Sequence, residues 1–208
     1  MSKKIVTIDL AILMSNVIPY YDTMASNGFQ ISGSFIENGP LKDMGIDQNS
    51  LSIILCNIIL PLVKRIGMEN VHVIYEQNDM VHFLNQNKDS EVYNIDFHSD
   101  CLDYMNEPMV GPHSWASYGL DNGLISKYHW VGADNSNMDE VTSYDVKRAT
   151  IRALNPFTLL DAEELIISLS SNWFTNSQMP VINTIMQTIK IVGGKLPEVE
   201  NYPNERQA

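Results

Sequence analysis

Short β-branched runs alternate along the chain with stretches whose apolar residues recur at helical spacing. Lys4–Leu10 (KIVTIDL) is rich in Ile and Val and predicts a first strand. A helix begun or broken near Pro19 is expected over 15–26. Residues 27–49 hold Gly28, Gly33, Gly39, Pro40 and Gly45 and read as a long loop, a feature that in compact domains tends to be functional. Ser50 is placed to cap the next helix, where Leu51, Ile54, Leu55, Ile58, Ile59 and Leu62 follow the 3.6-residue period, and Gly67 to end it. Further strands are expected at Asn70–Tyr75, Val92–Phe97, Ser126–Val131 and Glu164–Ser170. Helices are expected over 79–87, 113–123, 143–154 and 177–192, the last amphipathic on Val181, Ile185, Met186, Ile189 and Val192. The polar segment 195–208 carries Pro197 and Pro203 and is expected to fray as a flexible tail.

Strands alternating with helices predict an α/β fold. A mostly parallel sheet, flanked by helices on both faces, would form a single domain over residues 1–194. Ligands of such sheets bind beyond the carboxyl ends of the strands, where the strand order reverses. The residues just after each strand are therefore the place to look for chemistry.

Charge narrows the partners. The 208 residues carry 25 Asp+Glu against 13 Lys+Arg, a formal net charge of -12. Clustered Lys and Arg supply most of the affinity for a phosphate backbone, so nucleic acid and anionic membrane surfaces are not expected partners. An acidic field attracts cations instead, either metal ions or basic substrates. Cys56 and Cys101 cannot build a disulfide framework; Cys56 falls on an apolar helical stripe and is expected to be buried. Lys3 and Lys4 precede only Ile5–Met14, interrupted by Asp9, which does not read as a signal peptide. No apolar run is expected to reach the length needed to span a bilayer, and a cytoplasmic protein is expected.

The sharpest chemical signal is Asp96-Phe97-His98-Ser99-Asp100, at the end of a predicted strand. Alternate side chains of an extended segment share a face, so two carboxylates and an imidazole would converge as ligands for Mn²⁺ or Zn²⁺. The plainer reading is a solvated polar strand end. Asp9 lies inside the apolar stretch Val6–Leu13, where an unpaired charge is costly to bury unless it caps the following helix. Glu76 and Gln77 follow another predicted strand, with His82 shortly beyond; they fit either a site or a capped turn. His113 sits in Gly-Pro-His-Ser-Trp at a helix start, a place where a histidine is commonly structural. His72 and His129 fall within strands and are expected to be core or edge residues. The chain lacks Gly-x-Gly-x-x-Gly, a phosphate loop, Cys-x-x-Cys and Gly-x-Ser-x-Gly, which disfavours nucleotide binding and serine hydrolysis.

These segments resemble the arginase/deacetylase superfamily, and more narrowly the peptide arginases that convert arginine to ornithine in ribosomally made peptides. Asp96-x-His98-x-Asp100 resembles the family's Asp-x-His-x-Asp ligand motif, and His113 follows at a similar spacing to an active-site histidine. HSWASYGLDNGLISKYHWVG at 113–132 and Ile167–Trp173 are similar to the peptide-arginase group, and Thr7–Ala11 resembles the second Asp-x-Asp motif. The likeness runs over residues 4–175. It departs at Ala11, where the family has aspartate, and at Gln77, where it has histidine. Alanine cannot coordinate, and glutamine offers only a neutral carbonyl oxygen.

The resemblance implies an arginase-like three-layer fold and a binuclear Mn²⁺ centre. Asp9 and Asp96 would bridge the ions, His98 and Asp100 would complete them, and Gln77 would stand at a weakened ligand position. It further implies attack of an activated hydroxide on a guanidinium carbon, with urea leaving. His113 would shuttle a proton or hold substrate, and Glu76 would face the guanidinium. The loops 27–49 and 101–112 would line a cleft for an arginine-containing precursor peptide. A metal-dependent deacetylase and a non-catalytic peptide-binding relative are the alternatives.

Overall fold

The structure is a computed structural model and describes residues 2–19, 22–23, 46–75, 77–104, 110–139, 141, 144–170, 174, 178–197 and 199–200. In the first strand, β1 (Lys4–Asp9), every residue after Lys4 is buried. Alternation sends Val6 and Ile8 to one face and Ile5, Thr7 and Asp9 to the other. The other strands are β2 (Val71–Ile74), β3 (Ser90–Ile95), β4 (Ile125–Gly132), β5 (Lys147–Thr150), β6 (Glu164–Ser168) and β7 (Val199–Glu200). They form a seven-stranded sheet in the order β5-β4-β3-β1-β6-β2-β7, and every described pair is parallel.

Helices cover both faces, as the alternating pattern predicts. On one, Val6, Ile8, Val71, Val73, Leu165 and Ile167 pack against α1 (Gln48–Ile66) and α4 (Met179–Gly193). On the other, Ile5, Val92, Tyr128, Trp130 and Ile166 pack against α2 (Met80–Gln86) and α3 (Trp115–Asp121). The central strand β1 lies between β3 and β6. From β1 the chain next crosses toward β2 on one side, whereas from β3 it continues toward β4 on the other. The strand order therefore reverses between β1 and β3, and their carboxyl ends flank the crevice in which ligands of open α/β sheets bind.

Several local expectations are corrected. Asp47, not Ser50, caps α1: its carboxylate accepts from the amides of Asn49 (3.0 Å) and Ser50 (3.3 Å), and Ser50 is buried behind it. Burial alone would raise the Asp47 carboxyl, but hydrogen bonds from Ser50, Asn49 and Ser15 hold it below its ordinary value. The middle of α1, Ile53–Ile59, is a π-helix. Pro61 lacks the N–H that would close an ordinary turn on Asn57, and the N–H of Leu60 reaches back to Leu55 instead. Cys56, two residues after the buried Ile54, points away from the apolar face and is exposed rather than buried. Gly67 ends the helix with a φ of 80°, a conformation that glycine adopts without penalty.

With 19 residues and a mean hydropathy of 1.4, α1 is long and apolar enough to cross a membrane, contrary to the reading of the sequence. In the structure Ile54, Ile58, Ile59, Leu62 and Val63 are buried in the core cluster that lies against the sheet. The segment 143–154 does not form a helix: Lys147–Thr150 pairs with β4 as an edge strand. Val199–Glu200, within the expected flexible tail, pairs with β2 as the opposite edge, so the sheet extends beyond residue 194. Loop residues 27–45 lie outside the described residues.

Candidate functional site

One face of the sheet changes character from bottom to top. Partners in a parallel ladder share a face, so the register builds rows across the strands on the α2/α3 side. The lowest row is Ile5, Val92 and Tyr128; the next is Thr7, Asn94, Trp130 and Ile166; and at the top Asp9 stands beside Ser168. Apolar contacts thus give way to amide and hydroxyl groups, and then to acid, at the crevice between β1 and β3.

Asp9 ends β1 and caps the 3-10 turn Leu10–Met14, its Oδ1 accepting from the amide of Ala11 at 2.7 Å. Its Oδ2 accepts from the Ser170 hydroxyl at 2.7 Å, which in turn lies 3.1 Å from the hydroxyl of Ser168. The expected capping role is therefore real, and it coexists with a place in the acidic cluster. Asp96 and Asp100 are buried as well. Burial, the Asp96 charge, a hydrogen bond with Asp96 and the nearby Asp9 push the Asp100 carboxyl well above its ordinary range, against the pull of Trp115. Besides their contact with each other, the described side-chain partners of Asp96 and Asp100 are neutral donors. Gln77 Nε2 lies 3.3 Å from Asp96 and 3.4 Å from Asp100, Asn94 Nδ2 is 3.1 Å from Asp100, and Trp115 Nε1 is 2.7 Å from it.

The convergence is not produced by strand alternation. β3 ends at Ile95, the chain bends over residues 96–98 after a last bond from the Asp96 amide to Val131, and Asp100 follows at a φ of 56°. Ser170, beyond β6, is likewise left-handed at 42°. Such angles are sparsely populated by residues other than glycine and cluster at functional sites. Because the segment bends, His98 reaches the rim: its Nε2 lies 3.2 Å from Asp22 Oδ2, and its ring meets that of His113 edge-on at 5.4 Å. His113 is exposed, at the turn before α3.

Gln77 is buried, and its carbonyl oxygen has no hydrogen-bond partner. Turning the amide over would aim that oxygen at the carboxylates, so the acids fix the orientation with the amino group inward. Ala11 is buried among apolar side chains and brings no donor group. Glu76 lies outside the described residues, as do residues 171–173 of the Ile167–Trp173 stretch. Among the described residues, no three or more His, Cys, Asp or Glu side chains are drawn together tightly enough to hold a metal ion. Asp9, Asp96 and Asp100 feel one another's charge without closing on a common point. The three buried carboxylates are nevertheless oxygen donors of the kind a hard divalent cation takes, and Gln77 would add its carbonyl oxygen to them only with its amide turned over.

His72 and His129 are structural, as expected: His72 pairs with Glu164 at 2.8 Å, and His129 pairs with Glu91 at 2.9 Å while stacking on Tyr93. Sequence reasoning missed Asn94, Trp115, Ser170 and Asp22. Asn94 could have been found, because it precedes Asp96 by two positions in a strand and must share its face. Trp115 and Asp22 reach the cluster only through tertiary packing. Comparison of the chain with protein-family models, with curated proteins and with solved structures finds no match.

Proposed function

We propose that this chain is a metal-dependent hydrolase of the arginase-like type, which converts arginine side chains of a precursor peptide to ornithine and urea. The observation that carries the reading is the buried cluster of Asp9, Asp96 and Asp100 at the reversal of strand order, where Asp96 and Asp100 have, besides each other, neutral described partners. Like charges buried together require protons or a cation, and Asp100 is pushed toward the protonated form in the absence of one. Asp9, Asp96 and Asp100 would hold the metal; His98, at the rim, and Gln77, with its amino group inward, would have to reorient to join them. Divalent ions such as Mn²⁺, when bound there, supply a hydroxide nucleophile at neutral pH.

The chain's own groups provide the rest. The acidic cluster favours a cationic side chain at the cleft, and a guanidinium is the cation that carries an attackable carbon. His113 is exposed beside His98 and can give a proton to the departing ornithine nitrogen as the Cζ–Nε bond breaks and urea leaves. Glu76 is proposed to face the guanidinium.

A specific observation favours a second reading, a peptide-binding relative without turnover: Ala11 supplies no donor where the family has aspartate. The test is mass spectrometry of arginine-containing peptides incubated with the chain and Mn²⁺. The hydrolase reading expects a loss of CN₂H₂ per arginine, together with free urea. Peptide binding with unchanged mass supports the second reading and sinks the first. Loss of an acetyl group from acetyl-lysine, with no urea, would point to deacetylase chemistry instead.

A further inference from the structure

Beyond β3 the Asp96 amide still donates to the carbonyl of Val131 in β4 at 3.1 Å, and from there to Asp100 the segment leaves the sheet ladder and is held by other contacts. Three buried aromatic donors reach it. Trp130 Nε1 donates to the backbone carbonyl of Asp96 at 3.0 Å, the Tyr128 hydroxyl to the carbonyl of Ser99 at 2.9 Å, and Trp115 Nε1 to Asp100 Oδ2 at 2.7 Å. Trp115 and Trp130 are completely buried and Tyr128 nearly so, with the Trp115 and Tyr128 rings edge-on at 5.9 Å. Tyr128 and Trp130 come from β4, the neighbour of β3, and Trp115 comes from the start of α3 above them.

A buried Tyr or Trp usually finds some partner for its polar tip. Here all three tips converge on one five-residue segment that carries two acids of the cluster. Indole N–H donates and cannot accept, so Asp100 Oδ2 must be the accepting oxygen. Asn94 and Gln77 donate to that same oxygen, at 3.1 and 3.4 Å. Oδ2 therefore gathers three N–H donors, and the same carboxyl also hydrogen-bonds with Asp96.

We propose that Trp115, Tyr128 and Trp130 are positioning residues that fasten the Asp96–Asp100 segment, with the Trp115 indole holding the Asp100 carboxylate in place through Oδ2. The proposal rests on the metal-dependent reading above. Partners that orient metal ligands commonly account for a tenfold to hundredfold change in affinity. A purely structural role would change stability and leave metal affinity alone.

The test is a Mn²⁺ titration of the full chain, following free Mn²⁺ by electron paramagnetic resonance, with near-ultraviolet circular dichroism as the check on folding. Tyr128→Phe removes only a hydroxyl, and Trp115→Phe removes the indole N–H. Each is expected to bind Mn²⁺ about tenfold more weakly at unchanged stoichiometry. Phe83→Leu, a buried change on the same face that does not touch the segment, is expected to lower stability and keep wild-type affinity. If Trp115→Phe does not fold, Tyr128→Phe decides alone. Wild-type affinity in a folded Tyr128→Phe overturns the proposal and leaves the metal-dependent reading standing. A wild-type chain that takes up no Mn²⁺ overturns both.

Discussion

Replacing Ala11 by aspartate puts a carboxylate on the second residue of the 3-10 turn Leu10–Met14, two positions after Asp9. Ala11 is only 4% exposed, and its neighbours in the core are apolar. The new charge has no cationic partner in that cluster and lies close to a site where Asp9, Asp96 and Asp100 already repel one another. An uncompensated buried charge costs about 3–5 kcal/mol. At a urea slope of about 2 kcal/mol per molar, that lowers the unfolding midpoint by roughly 1.5–2.5 M in metal-free buffer. A cation held by the completed set returns part of the loss, about 2.7 kcal/mol when free Mn²⁺ is 100 times the dissociation constant. Urea melts with and without Mn²⁺, read by circular dichroism beside metal analysis of the dialysed protein, measure both halves. Ala11→Asp is expected to be less stable than wild type without metal, to gain more from Mn²⁺, to retain more Mn²⁺ and to release more urea from an arginine peptide. If the variant binds metal yet yields no urea, the arginase reading fails. If its metal-free midpoint equals the wild-type value and Mn²⁺ moves neither, position 11 does not belong to the acidic site.

Two further outcomes follow from particular contacts. His113→Ala is expected to lower turnover and leave Mn²⁺ content unchanged, because the ring is exposed at the rim beside His98; loss of metal in that variant would make His113 a ligand. Away from the site, burial would raise the Glu164 carboxyl, but His72 and Lys3, the latter at 2.5 Å, hold it below its ordinary value. A depressed carboxylate contributes stability above its unfolded pKa and loses it as pH falls through the folded one, so Glu164→Gln should cost about 1 kcal/mol at pH 7. That difference should shrink as pH falls below the ordinary glutamate pKa of about 4.3 and through the lowered folded one; a gap between their urea midpoints that stays constant throughout acid titration would refute the assignment.

The sequence by itself determined the class of fold. Runs such as KIVTID and ELIIS are too apolar for anything but buried strands, and their alternation with helical stretches leaves few arrangements besides a parallel sheet covered on both faces. Asp9, Asp96 and Asp100 were legible because a charge at the end of an apolar run needs a reason to be there. What the sequence could not say is set by groups far apart along the chain. Lys147–Thr150 is a strand because an edge position beside β4 was open to it, not because its residues prefer that form. His98 leaves the carboxylates because the chain bends after Ile95, and no local pattern records that bend. Trp115 lies fifteen residues beyond Asp100, and only the packing of α3 on β4 brings its N–H to that carboxylate. Local periodicity records which face of each element is dry. The meeting of polar tips from four or five elements depends on strand order, which only the tertiary structure decides.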